Sequence, residues 1–351
     1  MSEEPERHVP EEDENGEGLP IEGYRPPDPV DWAAPDRNEI RVGISACLLG
    51  DAVRYDGGHK RDRFLVGTVA EFVTFVPVCP EVDIGMSIPR EPIRLNRHGD
   101  EIRLEGTQSG TDYTERMLRY SEERVAQLEA FGLSGYILKK DSPSCGMERV
   151  RLYDDSGVPA RTGRGLFAEV LLARRPLLPV EEEGRLHDPG LRENFFERVF
   201  AYRRLTNLLS DDWDVGDLVA FHSREKMLLL AHDPEAYGRL GRLVADARKS
   251  DREEVAADYR RDFMDALGRL ASRGRHRNVL EHMAGYFKEV LDSDEKREME
   301  QVVVDFYSGL VPLVVPLTLF KHYVRRHDVE YLADQTYLQP HPKELMLRNH
   351  V

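Results

Sequence analysis

Residues 111–145 read TDYTERMLRYSEERVAQLEAFGLSGYILKKDSPSC. Met117, Leu118, Val125 and Leu128 recur at helical spacing between Thr111 and Phe131, with acids and arginines between them, so the segment predicts one amphipathic helix. SGYIL then reads as a short apolar strand. The chain leaves that strand through Lys-Lys-Asp-Ser-Pro-Ser, a run of turn-forming residues that presents side chains instead of packing them. Cys145 stands there, whereas a structural cysteine sits inside an apolar run.

Upstream the same rhythm repeats. IRVGISA, FLVGTVAEF and VTFVPV alternate short apolar runs with helical patterns, as βαβ units around a helix-covered parallel sheet do. PIRLNRHGDEIRLEG predicts a hairpin turning at His98-Gly99-Asp100. After HDPG (187–190) the strand rhythm stops, and apolar residues recur at three- and four-residue steps to the end. The expected fold is α/β, a Rossmann-like parallel sheet over residues 40–188, followed by an all-α domain over 191–351.

The formal charge is −16, but residues 1–40 hold 13 acids against 3 arginines and account for −10 of it. Their Pro- and Gly-rich composition, poor in apolar residues, predicts a disordered acidic tail over 1–39. The −6 left on the rest does not exclude a nucleic-acid partner. Basic clusters stand in the helical half, at Arg269, Arg273, Arg275 and Arg277 and at Lys321, Arg325 and Arg326. Arginine runs are also ordinary solvated helix faces. No apolar run approaches the length of a membrane span, the N-terminal residues lack a signal-peptide pattern, and three cysteines make no disulfide framework, so a cytoplasmic protein is expected. The oligomeric state is open at this level.

The other two cysteines repeat the first. Cys47 closes RVGISAC and Cys79 closes TFVPVC, so each of the three follows a predicted strand. Ligands of an open parallel sheet gather outside the carboxyl ends of its strands. Three thiols converging there suit a soft metal or an iron-sulfur cluster. Zinc held by the cysteines with His59 or an acid is the alternative, although no CxxC spacing supports it. Glu81 is placed to act as an acid/base, or is a surface carboxylate, with Asp83 a weaker candidate. Ser142 and Ser144 are candidates to relay a proton or bind substrate. Asp51, Arg54, Tyr55 and Asp56 follow Cys47 as substrate contacts or as a flexible loop. GRGLFA (163–168) fits the loose dinucleotide fingerprint but does not follow the first strand of a βαβ unit, which argues against NAD. Its Arg164, and Arg161 beside it, would suit an anionic substrate.

SACLLGDAVRYDGGHK, VPVCPEVDIGM and KKDSPSCG together resemble the three cysteine motifs of the bacterial thiouracil desulfurase (desulfidase) family. HMAGYFK and YLADQTYLQPHPKELMLRN resemble the helical domain of two-domain tRNA 4-thiouridine desulfidases, so the likeness spans nearly all of residues 40–351. The resemblance implies a 4Fe-4S cluster on Cys47, Cys79 and Cys145 with one iron open to the substrate sulfur. It also implies acid/base work by Glu81 and by a serine, Ser142 before Ser144, and hydrolytic release of hydrosulfide without net electron transfer. The substrate it implies is 4-thiouridine in tRNA, with free thiouracil as the rival; a non-catalytic metal-binding regulator is the reading from another class. RNA would then meet Arg273, Arg275, Arg277, Arg325 and Arg326, with Tyr286 and Tyr337 as stacking platforms.

Overall fold

The computed structural model describes residues 39–210 and 212–351, so the expected acidic tail lies outside the described residues. The first part runs β1 (Arg41–Ser45), α1 (Arg63–Gly67), β2 (Thr74–Val78), α2 (Pro80–Asp83), β3 (Ile93–His98), β4 (Glu101–Gly106), α3 (Thr114–Ala130), β5 (Leu133–Leu138), β6 (Val150–Tyr153), β7 (Pro159–Gly163), α4 (Leu166–Arg174) and β8 (Val180–Glu182). A parallel sheet takes the order β2-β1-β5-β8. Every residue of β1 and β5 is buried, as expected of central strands covered on both faces. The edge strand β2 instead alternates toward its buried Val76 and Val78.

A second sheet, β4-β3-β6-β7, was only half legible. The hairpin is present: β3 pairs antiparallel with β4 from Ile93↔Gly106 to His98↔Glu101, and Gly99 takes the positive φ of 62° that its two-residue turn demands. β6 and β7 were missed because their four and five residues, half of them polar, carry no clear period. In α3 the buried stripe is Met117, Ser121, Val125 and Leu128. Leu118 is 37% exposed, one position off the stripe the apolar pattern suggested.

The remainder is helical: α5 (Pro189–Ser210), α6 (Val215–Arg224), α7 (Lys226–His232), α8 (Pro234–Asp246), α9 (Arg252–Leu267), α10 (Arg273–Ala284), α11 (Ser293–Tyr307), α12 (Val314–Arg326) and α13 (Glu330–Ala333). Their starts follow local chemistry. Asp214 and Asp292 form capping boxes with Asp217 and Glu295, while Asp233, Asp251 and Ser272 cap α8, α9 and α10, each satisfying amides that a helix start leaves open. The chain divides into two compact units. One holds the residues up to Gly67 with 75–133 and 137–174; the other holds 68–74, 134–136 and 175–351.

Among the helices, α5 carries a charged cluster in its apolar surroundings. Arg348 donates to Glu193 and Glu197, each at 2.8 Å, and to the Tyr337 carbonyl, while His232 meets Glu197 at 2.5 Å. All four ionisable side chains are at most 6% exposed. Two carboxylates, one guanidinium and one imidazole balance their charge inside the fold, as buried ions must.

Candidate active site

Because β2, β1 and β5 are neighbours, the loops leaving their carboxyl ends open together, and one cavity of about 420 Å³ forms there. Cys47, Cys79 and Cys145 all line it. Cys47 sits in a single 3-10 turn directly after β1, and Cys79 is the residue that caps α2. Cys145 follows β5 through a loop whose Asp141 takes the left-handed φ of 59°, a conformation that Asp tolerates.

The Cys145 loop is held from behind by α4. The amides of Leu166 and Phe167 donate to the carbonyls of Pro143 and Ser144 at 3.2 and 3.0 Å, and Gly165 donates to Gly146 at 2.8 Å. A Cβ on Gly165 would lie 2.7 Å from the Cys145 nitrogen, so only glycine fits beneath the loop. GRGLFA, empty as a nucleotide fingerprint, thus has a different task. It is the floor of the cysteine loop.

Hydrogen bonds connect the loops around the cavity. Ser144, fully buried, donates to Glu81 Oε1 at 2.7 Å, and its Oγ lies 2.9 Å from the Ser142 hydroxyl. Ser142 Oγ in turn accepts from the Cys145 amide at 3.1 Å. The other carboxylate oxygen of Glu81 is gripped by Arg90, through Nη2 at 2.5 Å and Nε at 3.1 Å. Arg90 also donates to the Val53 carbonyl at 2.9 Å, which ties the loop after Cys47 to the same carboxylate. Glu81 is therefore no free surface acid. Its two oxygens face a fixed cation and a fixed hydroxyl.

The thiols respond to the same burial. Desolvation, with the Glu81 charge added, pushes Cys79 and Cys145 up to about 12 each, and Cys145 also experiences Cys47 while Cys79 experiences Cys145. Buried thiols of this kind remain protonated until a metal cation takes the place of the proton on sulfur. Three soft donors on three separate strand ends fit a cluster that takes each thiolate on a different iron. Among the described residues no three His, Cys, Asp or Glu side chains lie close enough to share a single ion. His59 is exposed, accepts from the Arg61 amide at 3.2 Å and does not line the cavity, so it gives the zinc alternative no fourth ligand.

The expected substrate contacts divide. Arg54 and Tyr55 line the cavity, with the guanidinium 5.3 Å from the Tyr55 ring centre. Asp51, Asp56 and Asp83 do not line it, and Asp83 accepts from the Tyr120 hydroxyl. Arg161 pairs with Asp141 at 3.3 Å, while Arg164 donates to the Met147 carbonyl and to Glu169; neither reaches the lining. Other cations take that place, chiefly Lys60, Arg94 and Arg151 with Lys139 and Lys140 at the start of the Cys145 loop. Arg94 lies 4.8 Å from the Tyr153 ring centre with its Nε buried and unpartnered. The carboxylates of the lining, Glu81 and Asp141, already face Arg90 and Arg161. The cavity is strongly cationic.

In the helical unit the expected RNA contacts are largely engaged. Arg273 and Arg275 donate to the carbonyls of Phe306 and His232, Arg277 pairs with Glu281, and Arg326 pairs with Glu295. Tyr337 is fully buried with its hydroxyl 2.8 Å from His276, so it offers no face to a base. Tyr286 is 37% exposed and stacks on Tyr331 with centroids 4.9 Å apart. No helix among the described residues is long and apolar enough to cross a membrane.

Comparison with known proteins bears on the family. Residues 42–183 match the family model of 2-thiouracil desulfurase, and residues 226–342 match a protein of unknown function, DUF1722. The uncharacterized protein YbgA of Escherichia coli is 32% identical over 153 residues, which cover 43% of this chain and 90% of that protein. The uncharacterized protein YbbK of Bacillus subtilis is 35% identical over 133 residues, covering 36% of this chain and 87% of that protein. Among solved structures, the 4Fe-4S-dependent thiouracil desulfidase TudS is 35% identical, with 42% of this chain and 94% of that one covered and a TM-score of 0.35. The motif-bearing strand ends, the family match and the second helical match together identify the chain as a member of the 2-thiouracil desulfurase family, with a DUF1722 region following the desulfurase domain.

Proposed function

We propose that this protein is an iron-sulfur desulfidase that removes sulfur from thiolated uracil, with 4-thiouridine in tRNA as its substrate. Residues 40–188 form the desulfidase unit in this reading, and 191–351 carry the RNA. The observation behind the chemistry is the meeting of all three cysteines with the Glu81–Ser144–Ser142 chain on one cavity. Cys47, Cys79 and Cys145 hold a 4Fe-4S cluster, which when bound supplies a soft Lewis acid matched to a thiocarbonyl sulfur.

The chain's own residues supply the remainder. Arg90 holds one oxygen of the Glu81 carboxylate and so orients Oε1 along the serine pair, and Glu81 takes a proton from the water that attacks the ring carbon. Ser144, buried and bonded to Glu81, passes that proton to Ser142, whose hydroxyl faces the cavity and delivers it to the departing sulfur. A carbon–sulfur bond is exchanged for a carbon–oxygen bond, water is consumed, hydrosulfide leaves, and the second proton of the water is released to solvent. No electron is gained or lost. Arg54, Arg94, Arg151 and Lys60 favour a phosphate-bearing nucleoside over a neutral free base.

The test is anaerobic incubation of cluster-reconstituted protein with bulk bacterial tRNA, following 4-thiouridine loss and sulfide release together. Both are expected to proceed in step and to stop in Cys145→Ala. Glu81→Gln should keep its iron and lose turnover by about 10²–10⁴-fold. Intact tRNA beside rapid conversion of free thiouracil would make the free base the substrate. Iron-replete Glu81→Gln with unchanged turnover would remove Glu81 from the chemistry.

A further inference from the structure

A second cavity, about 710 Å³, opens in the helical unit against α5, the end of α6, α12 and residues 333–339. Four cations line it: Arg204, Arg224, Lys321 and Arg325. Arg204 is committed to the fold, since it grips Glu225 through two nitrogens at 2.9 and 3.2 Å and donates to the Pro340 carbonyl. Glu225, 1% exposed, is thereby neutralised and also accepts from the Thr336 hydroxyl. Lys321 donates to a neutral amide oxygen, Gln339 Oε1, at 3.3 Å. Arg224 and Arg325 have no carboxylate partner among the described residues, and Asp334 is the one lining acid left to face all three.

Elsewhere on the unit Arg239, Arg261, Arg277, Arg297 and Arg326 each meet a carboxylate. Lys321 is held below the usual lysine range by burial and then by Arg348, Arg325 and Lys343, so positive charge crowds this spot, with Asp334 the one lining acid not already gripped by Arg204. Around the lining run neutral donors and acceptors, Asn207, Gln335, Thr336 and Gln339. An adjoining hollow shares Arg224, Asp334 and Gln335 with this cavity and reaches Tyr331, which stacks on the partly exposed Tyr286. Cations matched to phosphates, with an aromatic pair at one end, make up the usual equipment for unpaired nucleic acid.

We infer that this groove is the RNA-backbone site of the helical unit, with Arg224, Lys321 and Arg325 each facing a phosphate and the Tyr286–Tyr331 pair supporting an adjacent unstacked base. The inference rests on the reading that RNA carries the substrate, and it moves the contact away from the Arg273–Arg277 cluster, whose guanidinium groups serve the fold.

The experiment measures binding of tRNA lacking 4-thiouridine to the full chain at a series of salt concentrations, so that affinity is read apart from desulfidation. Against wild type stand Arg224→Gln with Arg325→Gln, the same pair with Lys321→Gln added, and a control pair, Arg261→Gln with Arg297→Gln, that removes paired surface charge. The triple variant is expected to lower the slope of log affinity on log salt by about 2 and to weaken binding on the order of 100-fold at 0.1 M salt, with the double variant in between and the control pair at wild-type values. A Tyr286→Ala variant should weaken binding without changing the slope. Wild-type slope and affinity in the triple variant, while the parent binds tRNA, would overturn the groove and leave RNA binding to another face. Failure of the parent to bind tRNA would overturn the groove and the RNA reading together. Uridine monophosphate bound at the groove with tRNA excluded would overturn it in favour of a free nucleotide.

Discussion

Gly165 shows how much of the site depends on one missing methyl group. The Cys145 loop rests directly on it, and a Cβ there would approach the Cys145 nitrogen to 2.7 Å. Gly165→Ala is expected to displace the loop, lower the iron content of reconstituted protein and cost about 1–3 kcal/mol in a denaturant melt. Iron loading equal to wild type would show that the loop can yield without losing its ligand geometry. The cysteines were legible because each follows an apolar strand-like run in a chain with no other thiol. Ser144, Arg90 and Gly165 were less so, since what gives each its role is a contact made across many residues of chain: Glu81 lies 63 residues before Ser144. Arg161 and Arg164 were drawn toward the site by sequence proximity alone. The fold pairs them instead with Asp141 and Glu169, and neither reaches the lining.

At the scale of elements, the ion cluster on α5 is the feature that periodicity hides. Glu193 and Glu197 stand one helical turn apart and read as an exposed acidic stripe, yet both are buried and face Arg348. Arg348→Met should destabilise the helical unit by about 3–5 kcal/mol, because it leaves two carboxylates in the core with a single imidazole between them. Thermal or denaturant unfolding gives that number, and a change within 0.5 kcal/mol would mean that water reaches the pair. The capped starts of α6, α9 and α11, by contrast, were written locally in Asp-rich turns. Strands β6 and β7 were not, because their polar residues find partners only once β3 lies beside them.

For the whole molecule the same cluster sets a pH window. Burial alone would lower His232, but Glu197, through its charge and hydrogen bond, and the Arg269 carbonyl hold it above its ordinary value. Burial alone would raise Glu197, yet His232 and then Arg348 hold it far below the carboxylate range. The contribution of His232 is complete below its unfolded value, roughly 6.5, and is lost as pH rises through the raised folded value. That of Glu197 is complete above its unfolded value, roughly 4.3, and is lost as pH falls toward the depressed one. The melting midpoint should therefore be highest between those two values and decline on the alkaline side, and His232→Gln should flatten that decline in melts taken across pH. A parent midpoint that keeps rising through pH 8 would contradict the assignment. The change from an α/β to a helical region was legible at this scale, from the point where strand rhythm gives way to helices, whereas the compact units divide after Arg174, before the expected break.

Arg348 follows Glu193 by 155 residues and Glu197 by 151. At about 5–20 residues per second of translation, the two acids of α5 leave the ribosome roughly 8–30 s before their counter-ion exists. Until the segment carrying Arg348 arrives, His232 is the one charged partner of this cluster already made, so the acidic turn of α5 has only part of the counter-charge that its burial requires.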